Sequence, residues 1–165
     1  KNKYAAQQLE RQRANHTLSR VYLALAEGHW TNQSKSGLID RPIEKVPECF
    51  NRYQVADTGR PSRTEYEVLS EFTYEETPFS LVRLKLQTGR THQIRVHMAS
   101  LSHPLLGDSI YGHECFLGFD RAALHSFEIT CQLPGHQDLA VFSSEMPEDF
   151  QKMIAKSINF SSTLI

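Results

Sequence analysis

Between Thr88 and Gly112 the sequence reads TGRTHQIRVHMASLSHPLLGDSIYG, crowding two arginines, three histidines, an aspartate and a tyrosine into one short stretch. Such groups can hold a metal, cradle a phosphate, move protons or grip RNA, and a structural helix can also carry them. Spacing argues against the metal. His92 and His97 are five residues apart, whereas two ligands on one helical face need a separation of three or four. His113, Glu114 and Cys115 lack the His-x-Glu order and the downstream Pro-Cys-x-x-Cys of a zinc deaminase. Gly89 alone makes a poor phosphate cradle, because neither GxGxxG nor GxxxxGKT is present. Thr91 reads more simply as the N-cap of a helix. No nucleophile elbow accompanies a serine or cysteine.

Arg95 is the residue that asks for an explanation. Ile94, Met98 and Leu101 fall at helical spacing on one apolar face, and Arg95 sits at its margin. A guanidinium buried there needs a carboxylate. An arginine running along the helix to solvent is the more economical reading of the residues alone. Tyr22 has an equally plain reading, as a strand tyrosine with a packed ring and a wet hydroxyl.

The elements that position these groups follow from composition and period. KNKYAAQQLERQRA, a stretch free of Gly and Pro, reads as a helix that fades near Asn15. LSRVYLALAEG reads as a strand ending at Gly28. Residues 29–61, rich in Gly and Pro, predict short strands within a long excursion. SRTEYEVLSEF and FSLVRLKLQ alternate around a YEETP turn and predict an antiparallel hairpin. A helix over 91–102 follows, then strands in ALHSFEITCQL and LAVFSS, and a closing helix in PEDFQKMIAKSI. The expected fold is α+β: a mixed, mostly antiparallel sheet with flanking helices, in one domain over 1–165, with a flexible tail over 158–165.

Composition narrows the class further. The 165 residues are 39% hydrophobic and 22% charged, which predicts a folded soluble domain. No apolar run reaches the roughly 20 residues of a membrane span, so no membrane partner is expected. Cys49, Cys115 and Cys131 share no CxxC spacing and read as free thiols in a reducing, cytoplasmic compartment. A net charge of −1 announces no nucleic-acid binder, yet Arg83, Lys85, Arg90 and Arg95 follow one another without an intervening acid. Such a zone suits a local phosphate-binding surface, and chance clustering on a solvated face accounts for it equally well. The chain opens on Lys1 rather than Met, inside the first helix, so an upstream segment is expected.

LQTGRTHQIRVHMASLSHPLLGDSIYG strongly resembles the signature of RluA-type RNA pseudouridine synthases. The resemblance extends through KNKYAAQQLERQ, RVYLALAEG, GLIDRPIEK, GRPSRTEYEVLSEF, RAALHSFEI and MPEDFQKMI, covering residues 1–157. It implies a partial pseudouridine synthase-like catalytic domain, its C-terminal portion. The implied activity is isomerisation of uridine to pseudouridine in ribosomal or transfer RNA, without cofactor or metal. It places the family's tyrosine at Tyr22 and its basic partner of a nucleophilic Asp at Arg95. Arg90, Arg83 and Lys85 are the expected RNA-binding residues. The Asp lies in a His-Arg-Leu-Asp-x-x-Thr-Ser-Gly stretch that is expected upstream of Lys1 and is missing from this sequence. Asp40 and Asp120 sit in other motifs, and Asp108 reads as a turn residue. The chain alone is therefore expected to be inactive, with Arg95 lacking a carboxylate partner of its own. A non-catalytic RNA-binding or scaffold remnant of the same fold is the alternative. No interface pattern indicates an oligomeric state.

Overall fold

The computed structural model describes residues 3–15, 17–114 and 116–162. Its centre is a six-stranded sheet in the order β2-β5-β6-β1-β7-β8, in which every pairing is antiparallel. The strands are β1 (Ser19–Glu27), β2 (Ser36–Asp40), β5 (Arg63–Tyr74), β6 (Thr77–Leu86), β7 (Leu124–Gln132) and β8 (Leu139–Ser143). Strands β3 (Ile43–Lys45) and β4 (Tyr53–Val55) form a separate two-stranded ribbon. The long excursion expected over 29–61 thus holds three short strands: β2 joins the main sheet beside β5, and β3 pairs with β4. The β5–β6 turn is made by Glu75 and Glu76, both at positive φ. That geometry matches the twist of a hairpin, where asparagine and glycine are the usual occupants.

Strands β1 and β6 are central, so both of their faces are covered. On one face Leu23, Leu25, Phe79 and Leu81 pack with Phe150 and Met153 of α3 (Glu148–Ser162). On the other, Ala24, Ala26, Val82 and Leu84 pack with Ile94 and Met98 of α2 (Gln93–Ser100) and with Trp30. Each cluster removes enough aliphatic area from water to seat its helix firmly. The first helix, α1 (Lys3–Ala14), buries no residue. No helix among the described residues is long and apolar enough to cross a membrane.

Three expectations need correction. Helix α2 is shorter than the span 91–102, and its N-cap is His92 in the left-handed conformation, with no side-chain capping bond. Thr91 is not the cap; the loop before the helix is held by Gln93 instead. The closing helix continues to Ser162, so residues 158–162 of the expected tail are helical, and 163–165 lie outside the described residues. Cys49 is exposed and Cys131 buried, both as free thiols; Cys115 and Lys1 lie outside the described residues.

Candidate active site

Helix α2 carries two polar networks, one on each side of its apolar stripe. The first is neutral and closed. Gln93, almost fully buried, donates to the Arg63 carbonyl and the Thr64 hydroxyl, and its Oε1 accepts from the Thr88 hydroxyl and the Arg90 amide. His97 lies one turn on. Its Nε2–H donates to the Arg41 carbonyl at 2.9 Å, which leaves Nδ1 to accept from the Thr64 hydroxyl. Burial pushes the His97 pKa down. The two side chains tie the 88–90 loop, β5 and the β2–β3 connection to one helix, and they leave no donor over for a ligand.

The second network is charged. Arg95 binds Asp108 in a fork, Nε to Oδ2 at 2.7 Å and Nη2 to Oδ1 at 2.6 Å. Asp108 is fully buried and Arg95 is 18% exposed. Oδ1 of Asp108 also accepts from the amides of Ile110 and Tyr111, so this aspartate is both a turn former and an ion-pair partner. Burial pushes its carboxyl up, but the Arg95 fork and the two amides outweigh that and hold its pKa below the ordinary value. The same fork raises the pKa of Arg95. Gly107 makes the turn possible. It sits at φ +67, and a Cβ there would lie 2.4 Å from the Arg121 carbonyl.

The expectation that Arg95 lacks a carboxylate in this chain is therefore corrected: its partner is Asp108. The pairing uses two of its five donor hydrogens, and a third contact runs from Nη1 to His92. One hydrogen on each terminal nitrogen has no protein acceptor among the described residues. Tyr22 lies on the face of the sheet that α2 covers, packed on the cluster containing Ile94 and Met98.

The expected RNA-binding trio is not brought together. Arg90 lines a cleft of about 630 Å³ with Arg13, Lys45 and Arg60, under the β3–β4 ribbon. Arg83 and Lys85 alternate with Val82 and Leu84 on β6, so they point to the opposite face, where they stand beside Glu67 and Glu65 in the register. Lys85 pairs with Glu65. The basic cleft thus gains Arg60, Lys45 and Arg13, none of them among the three expected RNA-binding residues, and loses Arg83 and Lys85. Arg20 adjoins it. Its guanidinium donates to the Thr88 carbonyl and passes close over Gly89. Neither Arg95 nor Tyr22 lines this cleft. Of the other aspartates, Asp40 is exposed and paired with Arg63. Among the described residues, no three His, Cys, Asp or Glu side chains gather as a metal site would require.

Comparison with known proteins agrees with this architecture. Residues 1–100 match the family model described as RNA pseudouridylate synthase. Ribosomal large subunit pseudouridine synthase D of Nitrosomonas europaea is 36% identical over 154 residues, which is 88% of this chain and 43% of that protein. The RNA pseudouridine synthase YhcT of Bacillus subtilis is 39% identical over 153 residues, 93% of this chain and 49% of that protein. The chain thus spans about half the length of the curated relatives it matches. Among solved structures, human RNA pseudouridylate synthase domain containing 1 superposes with a TM-score of 0.73 at 30% identity, covering 87% of this chain and 61% of that one.

Proposed function

Since the chain belongs to the RNA pseudouridylate synthase family, we propose that it supplies the arginine- and tyrosine-bearing half of a site that isomerises uridine to pseudouridine in RNA. The observation that carries this reading is the half-used Arg95 guanidinium. Asp108 fixes one edge of the fork against rotation, and the unspent hydrogens form a preset receptor for a second carboxylate. The resemblance assigns that carboxylate to a nucleophilic Asp. Asp108 cannot take the part, because it is fully buried and both of its oxygens are already bonded. Asp40 belongs to an exposed pair with Arg63. On this reading the acid comes from the upstream stretch that the resemblance expects.

On this reading Tyr22 stacks on the flipped uracil and guides removal of the C5 proton, while the cleft of Arg60, Arg90 and Lys45 grips the flanking backbone. The substrate is a ribosomal or transfer RNA, and the relatives' names favour the ribosomal kind. A cytoplasmic setting goes with it, consistent with free thiols.

The test is tritium release from RNA labelled at uridine C5. The chain alone should release none above background. Joined in frame to the preceding half of a family member carrying the Arg-Leu-Asp stretch, it should release tritium, and Arg95→Ala should abolish that release. Release by the chain alone would overturn the assignment of the acid. A folded hybrid that binds RNA without release would favour the non-catalytic remnant.

A further inference from the structure

The direction of each hydrogen bond around Arg95 can be worked out from the member that cannot accept. Arg95 has only donors, so the Nε2 of His92, 3.1 Å from its Nη1, accepts and carries no proton. Burial and the Arg95 charge both lower the His92 pKa, so the ring is neutral and its single proton sits on Nδ1. That nitrogen is 3.0 Å from the Tyr111 hydroxyl and donates to it. The backbone N–H of Tyr53 donates to the same oxygen at 2.9 Å. The phenol oxygen thus receives two bonds, and its own proton has no acceptor among the described residues. Burial also raises the Tyr111 pKa, which keeps that proton in place.

Two further observations locate this idle donor. Tyr53 and Thr91, the neighbour of His92, both line the basic cleft, and the hydroxyl, though Tyr111 is not itself a lining residue, is bonded to Tyr53 and to His92 at its margin. His92 itself is held at φ 56 and ψ 17, the left-handed region, which is uncommon for non-glycine residues although histidine enters it more readily than most. Its ring contacts both Arg95 and Tyr111, with the Arg95 guanidinium 5.1 Å over the Tyr111 ring.

We propose that Tyr111 is a substrate-contacting residue whose hydroxyl donates to a phosphodiester oxygen of the RNA strand in the basic cleft. A donor with no acceptor to offer, beside the Arg95 guanidinium and bonded to the cleft-lining Tyr53, matches a ligand atom that only accepts and carries negative charge. The proposal rests on the RNA reading above, and it adds a neutral contact beside the charged ones.

The experiment compares RNA binding by the full chain and by Tyr111→Phe across a salt series, using a uridine-containing stem-loop. The variant keeps the ring and loses only the hydroxyl. The affinity should fall about 3- to 10-fold, with the slope of log K against log salt unchanged, since a neutral donor releases no counterion. Arg90→Ala should lower that slope by about one. Unchanged affinity in Tyr111→Phe would overturn the proposal and leave the RNA reading standing. A drop accompanied by an altered slope and a lowered melting temperature would mark Tyr111 as structural and overturn it too. Wild-type protein that binds no RNA would bring down both. Independently of RNA and of any variant, the ¹⁵N spectrum of His92 should show the Nδ1–H tautomer, and an Nε2–H tautomer would refute the relay.

Discussion

Arg95–Asp108 and Arg63–Asp40 join the same two functional groups in different surroundings. Arg63 and Asp40 bridge the edge strand β2 and its neighbour β5 through a single 2.9 Å contact, and each side chain is about half exposed. Water can replace either partner there. Arg95 and Asp108 meet through a two-bond fork with the carboxylate wholly out of water, and two backbone amides share that carboxylate. Here each group answers for the other's desolvation. The exposed pair decorates the sheet edge; the buried one is a joint between α2 and the 108–111 turn, and it sets which hydrogens Arg95 has left. An ion pair's position, more than its composition, decides whether it can shape a site.

Breaking each pair in turn should separate them sharply. Asp108→Asn leaves the Arg95 charge without its carboxylate, and denaturant unfolding should show a loss of about 3–5 kcal/mol, the usual consequence of orphaning one member of a buried pair. Wild-type stability in this variant would mean that water already compensates Arg95.

Acid should sharpen the contrast on a smaller scale. His92 and His97 have folded pKa values below the unfolded 6.5, so folding holds them neutral. Their contribution is full above about pH 6.5 and is lost as the pH falls through the lower folded values. Asp108 lies below its ordinary 3.8, so its contribution is full above that value and disappears only on further acidification. Melting temperature should therefore decline in two stages. Asp108→Asn should shrink the lower stage, to which Glu44 and Glu71 also contribute, and keep the upper one; loss of both together would show that the helix unfolds as histidine protonates, before the carboxylate is reached.

The exposed pair should give the smallest effect. Asp40→Asn should change stability by about 0–1 kcal/mol, and less as salt is added. A larger loss would show that the β2–β5 edge depends on the pair more than its exposure suggests.

Much of this was legible in the sequence because local period and local sterics reported it. The alternation of LSRVYLALAEG, the β5–β6 hairpin and the apolar spacing of Ile94 and Met98 each needed only neighbours along the chain, and the strands and helix formed there. A conditional demand for an acid was legible too, since a guanidinium buried at that position cannot go unanswered, although the residues alone favoured an arginine that runs to solvent. What answered it was not. Asp108 lies thirteen residues on, past the helix end, and its turn signature could disclose its local bonds to Ile110 and Tyr111 but not the fork it closes across space.

The cap and the basic surface went the same way. Thr91 is chemically the better cap, yet Gln93 and the His92 contacts hold the loop in a form only tertiary packing could impose. Arg83, Lys85 and Arg90 look like one basic run, but β6 is apolar on both faces, so its period of two cannot say which side each cation takes. The sequence by itself determined the elements, the apolar stripe of α2 and the residue types at the site. The tertiary structure alone decided that Asp108 meets Arg95, that Arg60 and Lys45 join Arg90, and that Tyr111 keeps a proton to give, because each depends on chain segments that meet only when the sheet and ribbon close around the helix.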